Sequence, residues 1–138
     1  MDKAILDTDI LSEVLKAKDQ DVLTRAKDYL AVHQRLAFSS ITYYEILRGL
    51  IAKRAGQQLA KFLKTARTSD LLPVNLPVLR RAAELWAEAQ MQGHPRDDAD
   101  LIIAATALDA SRELVTGNLA HFTWIRGLRV TDWRTPKP

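Results

Sequence analysis

The amino-acid sequence predicts an α/β fold in which a mostly parallel central sheet is flanked by helices. Short apolar segments alternate along the chain with longer segments whose apolar residues recur at helical spacing. Strands that alternate with helices in this way pair in parallel, because each helix returns the chain to the starting edge of the sheet. With 138 residues, 47% of them hydrophobic and 27% charged, the chain is typical of one globular domain. We expect this domain to cover residues 1–134 and residues 135–138 to form a frayed tail.

Each predicted strand is a short apolar run bounded by polar or turn-forming residues. The strands are expected at residues 3–6, 36–39, 71–74, 113–116 and 128–130. The predicted helices begin near capping residues or at a proline. They are expected at about residues 8–17, 21–33, 40–53, 57–67, 77–91 and 97–111. Pro73 has no N–H to donate to a neighbouring strand, so the third strand is predicted to lie at an edge.

The composition excludes several classes of protein. The absence of cysteine removes disulfides, thiolate metal sites and cysteine nucleophiles. No apolar run approaches the ~18 residues that are needed to cross a bilayer. Asp7 and Asp9 interrupt the region where a signal peptide would be apolar. We therefore expect a cytoplasmic protein with no membrane partner.

Two carboxylates follow the first predicted strand directly, in the segment ILDTDILSE. Ligands of parallel sheets bind beyond the carboxyl ends of the strands, where Asp7 and Asp9 are expected to lie. Ser39 and Thr116 follow two further strands and are expected at the same edge. Either a helix cap accounts for the acids, or a cation binds there. For capping the first helix, Asp9 is better placed than Asp7.

Further carboxylates stand at two other positions. Glu45 is the only acid between Asp28 and Asp70, and the run from Asp97 to Asp100 opens a predicted helix. Asp97 is expected to cap that helix, and Glu45 taken alone could be a surface residue. If Asp7, Glu45 and Asp100 converge, however, their charges repel one another unless a hard cation such as Mg²⁺ or Mn²⁺ binds. Such an ion binds phosphates and activates water, which points to cleavage of a nucleic-acid backbone.

A basic stretch follows Glu45. Between Ile46 and Ser69 there is no acid, whereas six residues are basic. This stretch suits a polyanion, although a solvated helix face explains it equally well. The net charge of the whole chain is +3.

Several segments together resemble PIN-domain ribonucleases of the VapC toxin type. They are ILDTDILSE, SSITYYEILRGL, GHPRDDADLIIAATAL, LVTGNLAHF and RVTDW, which span most of the chain. The resemblance implies a PIN fold and a Mg²⁺- or Mn²⁺-dependent endoribonuclease that hydrolyses RNA phosphodiester bonds. It also implies that the chain is the toxin of a toxin–antitoxin pair, bound by a VapB-like antitoxin, and that it forms a homodimer.

The resemblance assigns roles by position. It places catalytic and metal-binding carboxylates at Asp7, Glu45 and Asp100, with Asp98 where some relatives carry an additional acid. The hydroxyls and the amide expected to support them are Thr8, Ser39, Thr116 and Asn118. The basic stretch itself, rather than the resemblance, supplies the residues expected to bind RNA, which are Arg48, Lys53, Arg54 and Lys61. The residues expected at the dimer or antitoxin contact, or else in the core, are Tyr43, Tyr44, Leu47 and Ile51.

The chain departs from the family pattern in the TGNLAHF segment. Many relatives carry an aspartate there, whereas this chain has Asn118 and His121. Asn118 offers a neutral oxygen, so we expect one tightly held ion rather than two. His121 is a proton donor or phosphate contact on one interpretation, and a packing residue beside Phe122 and Trp124 on the other.

Two other functions compete with this interpretation. The order Asp7-Thr8-Asp9 also looks like the motif of haloacid-dehalogenase-type phosphatases, in which Asp7 would be the nucleophile. That reaction needs a later lysine and usually a cap insertion, and the chain offers neither clearly. A non-catalytic RNA-binding α/β module would explain the basic stretch. It would not explain why carboxylates gather where a polyanion approaches.

Overall fold

The computed structural model describes residues 1–135 as alternating strands and helices. The strands are β1 (Ala4–Leu6), β2 (Ala37–Ser39), β3 (Asp70–Leu72), β4 (Glu113–Val115) and β5 (Val130–Thr131). The α-helices are α1 (Thr8–Lys16), α2 (Gln20–His33), α3 (Ser40–Ala52), α4 (Gly56–Arg67), α5 (Leu76–Met91) and α6 (Asp98–Asp109). A short 3₁₀ helix at Leu119–His121, which the sequence did not predict, follows β4.

All strand pairs in residues 1–135 are parallel, which confirms the predicted fold class. The strand order β1-β4-β5 forms one sheet, and β2 pairs with β3 in a second sheet. Leu6 is aligned with Val115, and Val115 with Thr131. The strands therefore form two hydrogen-bonded sheets rather than the single sheet expected, with β2 lying beside β1. The carboxyl ends of β1 and β4 lie level with each other.

Each face of β1 contributes to a different hydrophobic core. Successive side chains of a strand point to opposite faces. Accordingly, Leu6 packs in a core with Tyr29 and Phe38, whereas Ile5 packs in a second core with Leu101. Burial on both faces requires helices on both sides of the sheet, as the apolar strand sequences predict.

Small residues allow α6 to pack closely against its neighbours. Ala104, Ala105 and Ala107 are fully buried, and α6 packs along α5 and against β4. The first turn of α6 is thereby brought near the carboxyl ends of the strands. This packing positions the acidic run of residues 97–100.

Most of the expected frayed tail, residues 136–138, lies outside the described residues, so the domain boundary stays a prediction. Within residues 1–135, every helix is too short or too polar to span a bilayer.

Candidate functional site

Asp7 is the N-cap of α1. It has an extended conformation, with φ −75° and ψ 173°, and its Oδ1 accepts a hydrogen bond of 2.8 Å from the N–H of Ile10. The prediction that Asp9 fills this role is wrong, because Asp9 already lies in the first helical turn. A capping side chain must come from the non-helical residue that precedes the helix. Asp7 satisfies this condition directly after β1.

Burial determines the electrostatics of Asp7. The residue is 6% exposed, and burial is the largest cause that raises its pKa to about 6. Hydrogen bonds from the Thr116 side chain and the Ile10 N–H lower this pKa, whereas the carboxylates of Asp9 and Asp100 raise it further. The ionised form of Asp7 is thus costly in the protein alone.

Glu45 is held beside Asp7 through hydroxyl groups. It lies in the second turn of α3, where Thr8 Oγ1 donates a 2.7 Å hydrogen bond to its Oε1. The Thr8 and Thr42 hydroxyl oxygens lie 3.1 Å apart, and Thr42 is fully buried. The start of α1 therefore fixes the direction in which Glu45 points. Nη2 of Arg48 lies 4.0 Å from the other carboxylate oxygen.

Asp100 lies in the first turn of α6, opposite the loop that follows β4. Burial, and next the charge of Asp97, raises the pKa of Asp100, while contact with His121 lowers it. Nδ1 of His121 lies 3.6 Å from Oδ2 of Asp100. The amide nitrogen of Asn118 lies 2.9 Å from the same Nδ1. Asp100, His121 and Asn118 thus form one polar group.

These residues line one open pocket at the carboxyl ends of the strands, with a volume of about 370 Å³. Of the residues predicted from the sequence, the pocket brings together Asp7, Glu45, Asp100, Thr8 and Asn118. Thr116 is fully buried beneath it, against Asp7. The remaining lining residues are Asp9, Asp97, His121 and Phe122.

Asp98 and Ser39, which were also predicted for the site, do not line this pocket either. Asp98 lines a different hollow, between α5 and α6, together with Trp86 and Ile102. Residues two apart on a helix point about 200° away from each other, so Asp98 and Asp100 cannot face the same pocket. Ser39 is fully buried and caps α3 by accepting a hydrogen bond from the N–H of Ile41.

Asp97, like Asp9, is a pocket acid that the sequence predicted only as a helix cap. It occupies the N-cap position of α6, but its side chain makes no capping hydrogen bond. The capping role predicted for it is therefore wrong, and its carboxylate lines the pocket instead. Residues three apart are neighbours on a helix face, so the spacing of Asp97 and Asp100 was the signal that could have identified it.

The predicted RNA-binding residues lie at different distances from the pocket. Arg48 is adjacent to Glu45, and its guanidinium carbon lies 5.0 Å from the ring centroid of Tyr44. Lys53 and Arg54 follow the end of α3, roughly 12 Å further along the helix axis than Glu45. Nζ of Lys61 donates a 2.6 Å hydrogen bond to the carbonyl of Leu15. Only Arg48 among these four contacts a residue of the pocket in the described part of the chain.

The donor chemistry of the pocket fits a hard divalent cation. Five carboxylates and one amide oxygen face it, and these are ligands of the kind that Mg²⁺ and Mn²⁺ prefer. Within residues 1–135, no three His, Asp or Glu side chains are gathered closely enough to form a finished metal cluster. A cation would compete with Thr8 for Glu45 and with His121 for Asp100.

The fold and the pocket define an α/β protein whose acidic site lies where parallel strands β1 and β4 end. The family model of the PIN domain matches residues 4–122, and the chain belongs to the PIN-domain family. This confirms the family inferred from the sequence segments.

Relatives that are named as VapC nucleases match nearly the whole chain. Ribonuclease VapC1 of Haemophilus influenzae (strain R2866) is 30% identical over 132 residues, which covers 94% of this chain and 96% of that protein. The tRNA(fMet)-specific endonuclease VapC of Shigella flexneri is 28% identical and covers 95% and 98% of the two chains. The solved structure of VapBC-1 from nontypeable Haemophilus influenzae has a TM-score of 0.80 at 26% identity and covers 96% and 98%.

Proposed function

We propose that this chain is a metal-dependent endoribonuclease and acts as the VapC-like toxin of a toxin–antitoxin pair. The observation that carries the proposal is the meeting of Asp7, Glu45 and Asp100, from three separate segments, in one pocket. Relatives named ribonuclease VapC1 and tRNA(fMet)-specific endonuclease VapC, which match along almost the whole chain, support RNA as the substrate.

The residues that would hold Mg²⁺ or Mn²⁺ are Asp7, Glu45, Asp97, Asp100 and the side-chain oxygen of Asn118. When bound, the cation offsets the repulsion between the carboxylates, binds phosphate oxygens and activates water for attack on phosphorus. Asp98 does not belong to this set, because it lines the hollow between α5 and α6.

The neighbouring residues orient the carboxylates. The Ile10 N–H and the Thr116 hydroxyl hold Asp7, while Thr8 holds Glu45. His121 keeps Asp100 and Asn118 in contact. Side chains fixed by such outer contacts bind a metal with less loss of conformational freedom. The pocket is thus arranged before substrate arrives.

The RNA backbone would approach the pocket over α3. Arg48 stands at the rim beside Glu45, and Tyr44, which is 54% exposed, offers an aromatic face under its guanidinium. Lys53 and Arg54 extend the positive charge beyond the pocket. Arginine and aromatic side chains together bind phosphates and unpaired bases. The proposal places single-stranded RNA on this side of the site.

The partners are a VapB-like antitoxin and a second copy of the chain, and the compartment is the cytoplasm. The solved VapBC-1 structure supports an antitoxin partner. Exposed apolar residues of α5 support a homodimer: Leu76, Leu79, Trp86 and Met91. The basic residues Arg80 and Arg81 precede the acidic Glu84 and Glu88 along α5. An antiparallel pair of α5 helices would therefore bring opposite charges together.

The proposed surface for the dimer differs from the residues expected from the sequence. Tyr44 and Ile51 are exposed, as a contact surface requires. Tyr43 and Leu47, in contrast, are half-buried and pack against the core. Tyr43 and Leu47 therefore mainly stabilise the packing of α3 against the core.

Cleavage of RNA by the purified protein tests the function. We expect Mn²⁺ or Mg²⁺ to support cleavage of a tRNA substrate, EDTA to stop it, and Asp100→Asn to abolish it while the circular dichroism spectrum is retained. Release of phosphate from small esters with an acyl phosphate trapped on Asp7 would instead identify a phosphatase. RNA binding without cleavage, unchanged in Asp7→Asn, would identify a binding module.

A further inference from the structure

A single arginine ties the loop after β4 to the end of β5. The guanidinium of Arg134 donates a hydrogen bond to the backbone carbonyl of Gly117. Nη2 of the same guanidinium lies 3.3 Å from Oδ2 of Asp132, and the Arg134 backbone N–H donates to Asp132 Oδ1 at 2.8 Å. Arg134 therefore links two chain segments that leave neighbouring strands.

Gly117 stands between Thr116, which is buried beneath the acidic pocket, and Asn118, which lines it. On one side, the Thr116 hydroxyl accepts a 3.0 Å hydrogen bond from the N–H of Asn118. The Thr116 side chain also interacts with Asp7 and lowers the pKa of that carboxyl. The orientation of the Gly117 peptide thus affects both the contact with Asp7 and the entry of Asn118 into the pocket.

The other end of the link is anchored in the core. Trp133, between Asp132 and Arg134 in the chain, is 3% exposed, and its ring centroid lies 5.8 Å from that of Tyr29. The Asp132 side chain is only 11% exposed. Asn118, in contrast, is exposed. Because its neighbours Asp132 and Trp133 are held in place by burial, Arg134 can restrict the motion of the exposed loop that it contacts.

We propose that Arg134 is a positioning residue, which holds the loop of residues 116–118 in the conformation that presents Asn118 and the Thr116 hydroxyl to the pocket. The ordering of the loop does not depend on whether the chain cleaves RNA. Its consequence for catalysis rests on the proposed ribonuclease function. Arg134 acts through the Gly117 carbonyl and not by touching substrate.

The contact between Arg134 and the Gly117 carbonyl can also be disturbed by a substitution at Gly117. A Cβ atom added at Gly117 would lie 2.6 Å from Cζ of Arg134, so the guanidinium would have to move. Within residues 1–135, the glycines with positive φ are Gly93 and Gly127, so the backbone at Gly117 accepts alanine without strain. Gly117→Ala therefore displaces Arg134 and leaves its charge in place.

Amide hydrogen exchange of the metal-free protein, followed by NMR, tests the ordering. We expect Arg134→Met and Gly117→Ala to speed exchange of the Asn118 amide by about tenfold, the effect of losing a hydrogen bond to a charged donor. The amide of Leu114, in the centre of β4, should be unaffected. Arg134→Lys, which keeps the charge and one donor direction, should show an intermediate rate. Arg126→Met, which removes an exposed arginine of the same C-terminal segment, is the matched control.

Kinetics with Mn²⁺ test the consequence for catalysis. We expect Arg134→Met and Gly117→Ala to lower kcat about tenfold with little change in KM for RNA. Unchanged Asn118 exchange in both variants would overturn the proposal, whatever their activity. A raised KM with a weaker salt dependence and normal exchange would also overturn it, since Arg134 would then be a phosphate contact. If the Asn118 amide exchanges faster in the variants while the wild-type protein does not cleave RNA, the result would support the link and count against the ribonuclease function alone.

Discussion

The hydroxyl of Thr8 donates a 2.7 Å hydrogen bond to the carboxylate of Glu45, and thereby joins the start of α1 to the second turn of α3. The two residues are 37 positions apart in the chain. Because Thr8 directly follows Asp7, this bond fixes the position of Glu45 relative to the carboxylate at the end of β1. The acidic pocket depends on this contact between helices.

Loss of the Thr8 hydroxyl should therefore weaken metal binding. We expect Thr8→Val, which keeps the shape of the side chain, to lower Mn²⁺ affinity and RNA cleavage by about 10- to 100-fold, the usual effect of removing a group that orients a metal ligand. Thr8→Ser retains the hydroxyl and should retain most of both. Isothermal titration calorimetry and cleavage rates measure the two effects. Equal Mn²⁺ affinities and equal cleavage rates in Thr8→Val and Thr8→Ser would show that the hydroxyl does not orient Glu45.

The buried carboxylate of Asp7 should make the metal-free protein less stable as the pH rises. Its pKa in the folded protein, about 6, exceeds the ordinary value of 3.8. Between these values the folded state binds more protons than the unfolded chain, so the free energy of unfolding falls as the pH rises from about 4 to 6. The loss from this one group is on the order of 3 kcal/mol.

Asp7→Asn isolates this effect, because asparagine caps a helix as well as aspartate does. We expect the variant to be more stable than the wild type at pH 7.5 without metal, and the difference to shrink below pH 4. Urea unfolding at several pH values, with EDTA present, measures both. If the free energy of unfolding changed with pH in the same way in both proteins, this result would contradict a buried charge at Asp7. Mn²⁺ should stabilise the wild type at pH 7.5 more than the variant.

The adjacent acids Asp97 and Asp98 provide a matched pair. Asp97 lines the acidic pocket, whereas Asp98 lines the hollow between α5 and α6. We expect Asp97→Asn to weaken Mn²⁺ binding at least about tenfold, as loss of a ligand or of its support does. Asp98→Asn, which removes the same charge one residue away, should have a much smaller effect. If calorimetry showed a larger loss of Mn²⁺ affinity in Asp98→Asn than in Asp97→Asn, Asp98 would belong to the site, as the resemblance first indicated.

The basic residues should differ in their contribution to RNA binding. Arg48 lies at the rim of the pocket, whereas Nζ of Lys61 is bound to the Leu15 carbonyl. We expect Arg48→Gln to reduce the slope of log affinity against log salt by about 0.7, the value for one phosphate contact with a single strand. Lys61→Gln should change it less. Fluorescence anisotropy in EDTA, over a range of salt concentrations, measures these slopes, and equal slopes would remove Arg48 from the RNA surface.

The homodimer proposal can be tested on α5. Trp86, which is 47% exposed, stands near the middle of the apolar face of this helix. We expect Trp86→Glu to shift the protein from dimer to monomer in sedimentation equilibrium, because a charge buried without a partner opposes association. Val32→Glu, at a 53% exposed position on α2, should leave the dimer intact. A monomeric wild-type protein would exclude this surface as a self-association site.

The sequence by itself determined the order, type and approximate bounds of the secondary-structure elements. Each of the five strands and six α-helices in residues 1–135 begins and ends within two residues of its predicted limits. Hydrophobic periodicity is a local property, and it is read from the residues of the element itself. The family was also visible in sequence, because its acids stand next to recognisable strand and helix signals. The caps of α1 and α6 were local exceptions, since the capping side chain cannot be identified until the backbone and side-chain conformations are known.

The tertiary structure alone decided which side chains meet. That Asp97 rather than Asp98 faces the pocket depends on the rotation of α6 against α5 and the sheet. The contacts of Thr8 with Glu45 and of Arg134 with Gly117 join residues distant in the chain, and no local pattern encodes them. Packing of the two cores sets the helix positions to within a hydrogen-bond length, and the chemistry of the pocket requires that accuracy.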